Sequence, residues 1–185
     1  MPKLIIIGGS LATGKTSLAR FLEEQTGIKR LSMDDLKETF FDLGGYRDRD
    51  WSKRIGGLAW PTFKELVDMH LERGDDVIAE ATFLWPDDHE WVQDLGDRHG
   101  AELHQVWMTA DPRVSRERFI ARANSEERHP GHCDDLVHVI DEFDQRFFNK
   151  TFIPMPVKGK TMVVDTTDFD LVDRDEVLQW IQGLS

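Results

Sequence analysis

A glycine-rich octapeptide near the N-terminus has the residue types needed to hold a chain of phosphate groups. Residues 9–16 read GSLATGKT and fit the pattern G-x-x-x-x-G-K-[ST]. Glycines let the backbone curve so that amide N–H groups point inward, while the lysine can reach outer phosphates and the final hydroxyl can ligate Mg²⁺. The pattern predicts binding of a nucleoside triphosphate through Gly9, Ser10, Ala12, Thr13, Gly14, Lys15, Thr16 and Ser17.

The surroundings of this octapeptide favour that interpretation over a simple turn. The apolar run Leu4 to Ile7 precedes it and predicts a strand, and an amphipathic stretch follows it and predicts a helix. A strand before the loop and a helix after it are the context in which the motif binds phosphate. The structural alternative is a tight strand-to-helix turn that carries a surface lysine.

Two carboxylates lie near the C-terminal ends of predicted strands, at the edge where this loop must lie. Asp34 comes after the second predicted strand and can orient an acceptor hydroxyl and take its proton, which phosphoryl transfer requires. Its alternative role is the N-cap of the next helix, and Asp35 is the better candidate for a capping or solvent-facing residue. Glu80 lies in the apolar stretch VIAEATF, so we predict contact with Mg²⁺, water or substrate, the alternative being a buried acid satisfied by the protein.

Arginines are concentrated in one part of an otherwise acidic chain, between about residues 113 and 133. Arg118 and Arg122 are four residues apart, so on a helix they share one face and can converge on an anion. We predict that this segment is a helical lid, that Arg118 contacts the nucleotide, and that Arg122 and Arg128 neutralise the transferring phosphate. The alternative is a solvated helix face paired with neighbouring glutamates.

Residues of about 43–60 combine aromatic and basic side chains and predict an acceptor-binding segment. Trp60 and Arg54 are the candidate substrate-binding residues there, beside Asp34 and Glu80. Together with Trp51 and Trp85, Trp60 could line an acceptor pocket or cover the edge of the core. The arginines at 47, 49 and 54 could bind an acidic acceptor or pair with the aspartates at 48 and 50.

The elements that must position these residues alternate along the chain. Strands are predicted at 3–7, 29–31, 76–83, 102–108 and 161–165, and helices at 15–25, 34–44, 61–73, 87–99, 112–123, 136–148 and 173–181. Residues 46–57 have no sustained period and predict a loop or mobile segment. This alternation is typical of a parallel sheet covered by helices on both faces, so we expect a single three-layer α/β/α domain over residues 1–185.

Composition excludes several other classes of protein. The 185 residues include 23 Lys and Arg against 35 Asp and Glu, a net charge of −12, which disfavours a general nucleic-acid binder. The apolar run at 4–7 is too short for a signal peptide or a membrane span. With one cysteine, no disulfide can form within the chain. We therefore expect a cytoplasmic protein, monomeric or homodimeric, with no nucleic-acid or membrane partner.

Several segments together resemble a known family. LIIIGGSLATGKTSLARFL, LSMDDL, DVIAEATF, ADPRVSRERFIARANSEERHPGH and VVDTTD resemble the P-loop small-molecule kinases of the zeta-toxin and chloramphenicol-phosphotransferase type, an AAA-type group related to gluconate and shikimate kinases. The acceptor segment 46–60 matches no subgroup, and the third strand offers Glu80 where these proteins usually have aspartate.

This resemblance implies a P-loop NTPase fold with five parallel strands in the order 2-3-1-4-5, and ATP with Mg²⁺ as its ligands. It implies transfer of the γ-phosphate to a hydroxyl of a small molecule, with Asp34 as the catalytic acid residue and Glu80 at the acceptor. Arg118, Arg122 and Arg128 look like lid arginines, and Thr166 lies in the segment that borders adenine. Two alternatives stay open, namely a regulatory nucleotide-binding ATPase and a zeta-toxin-like kinase of nucleotide sugars.

Overall fold

A five-stranded parallel sheet forms the centre of the protein. The computed structural model describes residues 1–126, 128–134, 137–145 and 152–183. Its strands are β1 (Lys3–Gly9), β2 (Lys29–Ser32), β3 (Val77–Glu80), β4 (Glu102–Thr109) and β5 (Lys160–Asp165). Their order is β2-β3-β1-β4-β5, as the resemblance implied, and every neighbouring pair is parallel.

Helices connect the strands and cover both faces of the sheet. They are α1 (Lys15–Thr26), α2 (Met33–Gly44), α3 (Arg49–Glu72), α4 (Asp88–His99), α5 (Pro112–Ala123), α6 (Val137–Phe143) and α7 (Arg174–Gln182). The predicted start of α5 is confirmed, because Asp111 accepts a hydrogen bond from the Arg113 amide and proline is at the first helical position. The predicted ends of α6, residue 136 and residues 146–148, lie outside the described residues.

The apolar side chains of β1 alternate between two halves of the core. Leu4 and Ile6 pack in one cluster with residues of α3 and α4, while Ile5 and Ile7 pack in the other with residues of α1 and α7. All four are fully buried. A strand covered on both faces needs continuous rather than alternating hydrophobicity, and the predicted three-layer architecture is confirmed.

The prediction of a loop at 46–57 and of a helix beginning at Pro61 is wrong, because a single helix spans Arg49–Glu72. Asp48 caps its N-terminus by accepting a hydrogen bond from the Trp51 amide at 2.8 Å. Buried side chains then recur at helical spacing along its whole length: Ser52, Ile55, Ala59, Phe63, Val67 and Leu71. Packing of this stripe outweighs the helix-breaking tendency of Pro61 and of the glycines before it.

Strand β3 is shorter than predicted and ends at Glu80 instead of residue 83. The Ala81 amide donates to the Ile7 carbonyl, and the chain then turns away from the sheet. Phe83 has a φ of +51° and is buried against Trp60 and Trp91. Burial of its ring therefore directs the chain out of the sheet, and Glu80 becomes the last residue of the strand. Among the helices of the described residues, none combines the length and apolar character needed to cross a lipid bilayer.

Candidate active site

The glycine-rich loop between β1 and α1 is held in a tight curl by its own backbone. Gly9 has a φ of +118°, and a Cβ atom there would lie 2.0 Å from the Met108 carbonyl oxygen, so no side chain fits. The Ser10 amide donates to the same carbonyl at 3.0 Å. The Thr13 hydroxyl donates to the Ser10 carbonyl at 2.9 Å. These contacts leave the start of α1, with its free amides, at the carboxyl edge of the sheet.

Lys15 provides a cation inside this loop without a bound carboxylate. Its ammonium donates to the Ser10 carbonyl. Burial lowers the pKa of Lys15 to about 8, against the opposing attraction of Glu80 and Asp34. Among the residues that the structure describes, no carboxylate forms an ion pair with this ammonium. A desolvated ammonium gains most from an anionic ligand, so the loop fits a phosphate chain.

Thr16 and Glu80 bring two oxygen donors together beside the loop. The Thr16 hydroxyl donates to a Glu80 carboxylate oxygen at 2.6 Å, and Arg30 donates to the other oxygen at 2.8 Å. Arg30 also binds Asp35. A hydroxyl beside a carboxylate suits a hard cation such as Mg²⁺. No group of three or more His, Cys, Asp or Glu side chains in the described residues could hold a metal ion, so phosphate oxygens and water would have to complete the shell.

Asp34 lines the same cleft and is bound by an arginine that also binds a second carboxylate. One of its carboxylate oxygens accepts from Arg128 at 3.0 Å, and Arg128 also binds Asp134 at 2.7 Å. Burial opposes its ionisation, but Arg128 and His132 outweigh it and hold the pKa of Asp34 well below its usual range. Ser32, and not Asp34, caps α2 by accepting from the Asp35 amide. Asp34 is therefore an ionised hydrogen-bond acceptor that is not needed for capping.

The arginines of α5 differ in what they bind. Arg118 donates to the carbonyls of Thr166 and Thr167 at 2.6 and 3.0 Å and stacks on the Phe169 ring at 3.6 Å. Arg122 forms no ion pair within the part of the chain that the structure describes. Burial and the nearby Arg128 lower the pKa of Arg122. Arg122 is thus a second cation that lacks a bound anion, while Arg118 ties α5 to the end of β5.

One continuous cleft, with a volume of about 1070 Å³, contains most of the predicted site residues. Its lining includes Ala12, Thr13, Gly14, Lys15, Thr16, Ser17, Asp34, Trp60, Glu80, Arg118, Arg122 and Arg128. Trp85 also lines it. A space of this size accommodates a nucleotide together with a small second ligand.

Four predicted binding residues do not line the cleft. Gly9 and Ser10 begin the loop, and their close contacts with Met108 hold its curvature. Thr166 is fully buried, and its hydroxyl donates to the Thr109 carbonyl at 2.9 Å. Arg54 is exposed on α3 outside the cleft. Since Arg54 was a candidate for substrate binding, the structure does not bring it to the site.

Several cleft residues were not predicted as site residues: Lys37, Glu38, His132 and Asp134. Arg30, which donates to the cleft residue Glu80, was not predicted either. Arg49, which was considered only as one of three loop arginines, donates to the His132 carbonyl at 3.0 Å and binds Glu142 at 3.2 Å. Lys37 could have been found, because it follows Asp34 by one helical turn. The partners of Arg49 are more than eighty positions away in the sequence, and no local pattern indicates them.

Comparison of the sequence with protein-family models identifies one match, to a family described as AAA domain, over residues 4–148. Among curated proteins, none matches significantly. A solved structure from Chloroflexus aurantiacus, assigned as a kinase, is 34% identical in sequence and has a TM-score of 0.88. The match covers 98% of this chain and 97% of that one.

More distant solved structures share the fold. A Janibacter sugar kinase is 12% identical with a TM-score of 0.59, and the match covers 99% of this chain and 94% of that one. A Streptococcus pneumoniae structure from the PezAT toxin-antitoxin system is 17% identical with a TM-score of 0.61, covering 97% of this chain and 77% of the other. The predicted phosphate-loop fold is therefore confirmed by both sequence and structure.

Proposed function

Because the chain belongs to the AAA domain family and carries a complete phosphate-binding loop, we propose that it is an ATP-dependent phosphotransferase. It moves the γ-phosphate of ATP to a hydroxyl group of a small molecule. The observation that carries this proposal is the position of an ionised acid, Asp34, in the same cleft as Lys15 and Arg122, two cations that no carboxylate of the described residues binds.

The phosphate side of the cleft binds the nucleotide in this proposal. The amides of the cleft-lining part of the loop, from Ala12 to Ser17, and the Lys15 ammonium hold the phosphates. Arg122 and Arg128 neutralise charge on the transferring group, and residues 113–133 act as the lid. Arg118 contacts the nucleotide base beside the segment that contains Thr166.

Thr16 and Glu80 are the residues that would hold Mg²⁺ beside the phosphates. A bound Mg²⁺ supplies charge neutralisation to phosphate oxygens. Arg30 orients the Glu80 carboxylate through its 2.8 Å hydrogen bond. The protein therefore contributes a fixed pair of oxygen donors.

In this proposal residues 43–60, together with Asp34 and Glu80, bind the acceptor, and the Trp60 side chain lines the acceptor pocket. Asp34 accepts a hydrogen bond from the acceptor hydroxyl and aims its oxygen at the γ-phosphorus. The new O–P bond forms as the bridging P–O bond breaks, and its electron pair leaves with ADP. The hydroxyl proton passes to Asp34 and then to solvent. Because the pKa of Asp34 is low, this transfer occurs late, when the hydroxyl has become acidic through bonding to phosphorus.

Asp34→Asn tests this assignment, because amide and carboxylate have nearly the same shape but differ in charge and proton affinity. We expect ATP consumption with an acceptor to fall by about 10²- to 10⁴-fold, while Mg-ATP binding measured by calorimetry stays within about threefold of the parent, since the nucleotide is held by other groups. The screen for acceptors uses a panel of hydroxyl-bearing metabolites and antibiotics.

Asp75→Asn is the matched control, because Asp75 is exposed in the turn before β3, at the opposite edge of the sheet. It should leave both measurements unchanged. Unaltered turnover in Asp34→Asn would contradict the assignment of Asp34. Slow ATP hydrolysis that no acceptor stimulates and Asp34→Asn does not change would support the regulatory ATPase instead.

A further inference from the structure

The carboxylates on the acceptor side of the cleft are each bound by a basic group. Asp34 binds Arg128 at 3.0 Å, and Glu38 binds His132 at 2.9 Å. Asp134 binds Arg128 at 2.7 Å, and Glu142 binds Arg49 at 3.2 Å. Asp134 also lies 3.5 Å from Arg49, and Glu142 also lies 3.5 Å from Lys53. Within the described residues, none of the four acids forms an ion pair with Lys37.

Lys37 is a cation of this region that has no such partner among the described residues. It lies in α2 and lines the cleft. In the described residues its ammonium makes neither an ion pair nor a hydrogen bond. The ammonium lies over the Phe41 ring, 5.4 Å from the ring centroid. An ammonium that is partly withdrawn from water without an anionic partner is unfavourable. Burial accordingly lowers the pKa of Lys37, against the attraction of Asp34 and with the repulsion of Arg49.

Resting on the phosphotransferase function proposed above, we propose that the acceptor carries an anionic group, a carboxylate or a phosphate, which Lys37 binds. Lys37 follows Asp34 by three positions in the same helix, so their Cβ atoms are about 5–6 Å apart. One molecule can therefore place a hydroxyl against the Asp34 carboxylate and an anionic group against the Lys37 ammonium.

The positions of the other basic residues are consistent with two separate anion sites, one for the nucleotide phosphates and one for the anionic group of the acceptor. In the proposed function Lys15 and Arg122 serve the phosphates of the nucleotide, whereas Lys37 lines the same cleft from α2, the helix that carries Asp34. Arg54, which was expected to bind an acidic acceptor, lies outside the cleft. Lys37 thus takes the role that the sequence suggested for an arginine of α3.

The test compares acceptors that share a carbon skeleton and differ in charge. The probes are glycerol with glycerate and glycerol 3-phosphate, and glucose with gluconate and glucose 6-phosphate. Binding to the full chain is measured by tryptophan fluorescence in saturating Mg-ADP, since Trp60 and Trp85 line the cleft. ATP consumption is measured with the same compounds. Comparison of the carboxylate and phosphate members identifies the source of the anionic group.

We expect at least one acidic compound to bind more tightly than its neutral counterpart. Lys37→Met should weaken that binding by about 10- to 100-fold, the value of one hydrogen bond between charged groups, and leave the KM for ATP unchanged. Lys37→Arg should restore most of the affinity, because it keeps the charge. Lys158→Met is the control, since Lys158 is exposed before β5 at the opposite edge of the sheet.

The two proposals fail in different ways. If no acidic compound binds better than its neutral counterpart, or if Lys37→Met weakens binding of neutral and acidic compounds equally, the inference about Lys37 is overturned. Turnover of a neutral acceptor that requires Asp34 would overturn it and leave the phosphotransferase proposal standing. A third outcome is that acidic compounds bind in a way that requires Lys37 but none of them is phosphorylated. That outcome would support the anion site and count against phosphotransferase activity.

Discussion

Nucleotide binding should draw a proton from solvent onto Lys15. In the free protein, burial lowers the pKa of Lys15 from 10.5 to about 8. Phosphate oxygens bound at the ammonium favour its charged form, so its pKa in the complex should return to about its usual value or above. Binding of Mg-ATP should therefore increase the number of protons bound to the protein.

The size of the effect follows from the two pKa values. The free protein carries about half a proton on Lys15 at pH 8 and about a tenth at pH 9, whereas the complex carries nearly one at both. Binding should take up about 0.1 proton at pH 7, about 0.5 at pH 8 and about 0.9 at pH 9. The phosphates themselves are ionised in the upper part of this range and contribute little there.

Calorimetry in buffers of different ionisation enthalpy measures this uptake, because the slope of the observed enthalpy against the buffer enthalpy gives the number of protons. Lys15→Arg is the control, since its guanidinium stays charged across the range and should bind nucleotide with no rise in uptake toward pH 9. Uptake below about 0.3 proton at pH 9, or equal uptake in Lys15→Arg, would refute the link between burial of Lys15 and phosphate binding.

Three further substitutions test the loop, the core and the nucleotide contacts. Gly9→Ala should abolish detectable Mg-ATP binding by calorimetry, because its Cβ would lie 2.0 Å from a carbonyl oxygen of β4; near-parental affinity would contradict this geometry. Phe63→Ala removes a fully buried ring and should cost about 3–5 kcal/mol in urea unfolding, whereas the exposed Leu58→Ala should change stability by less than about 0.5 kcal/mol. Arg118→Met removes the hydrogen bonds to the Thr166 and Thr167 carbonyls and should raise the KM for ATP by about 10-fold, with the acceptor KM as the internal control.

The parts of the site that lie next to each other in the chain were predictable from the sequence. The loop from Gly9 to Thr16 needs only its own residues and its flanking strand and helix, and β1 and α1 are both present. The sheet order followed from the family resemblance, and Glu80 followed from the cost of a carboxylate in an apolar strand. Its partner Arg30 did not, because the two lie fifty positions apart.

The missed features depend on tertiary packing. Charges and glycines in residues 46–57 obscured the helical period of α3, and the buried side chains from Ser52 to Leu71 stabilise that helix only when the sheet and α4 lie beneath them. The ion pair between Asp34 and Arg128 joins residues 94 positions apart. It is also the feature that keeps Asp34 ionised, so the sequence predicted the residue but not its state.

The long helix α3 has its weakest point between its two halves. Pro61 has no amide hydrogen to donate to the preceding turn, and in that turn Gly57 contributes no side chain. The half that follows is anchored by Phe63, Val67 and Leu71 in the core. The half before Pro61 is held by the buried Ile55 and Ala59 and by Arg49, which binds Glu142 and the His132 carbonyl. Packing on both sides of Pro61 therefore carries the helix through this point, and one helix joins the acceptor side of the cleft to the core.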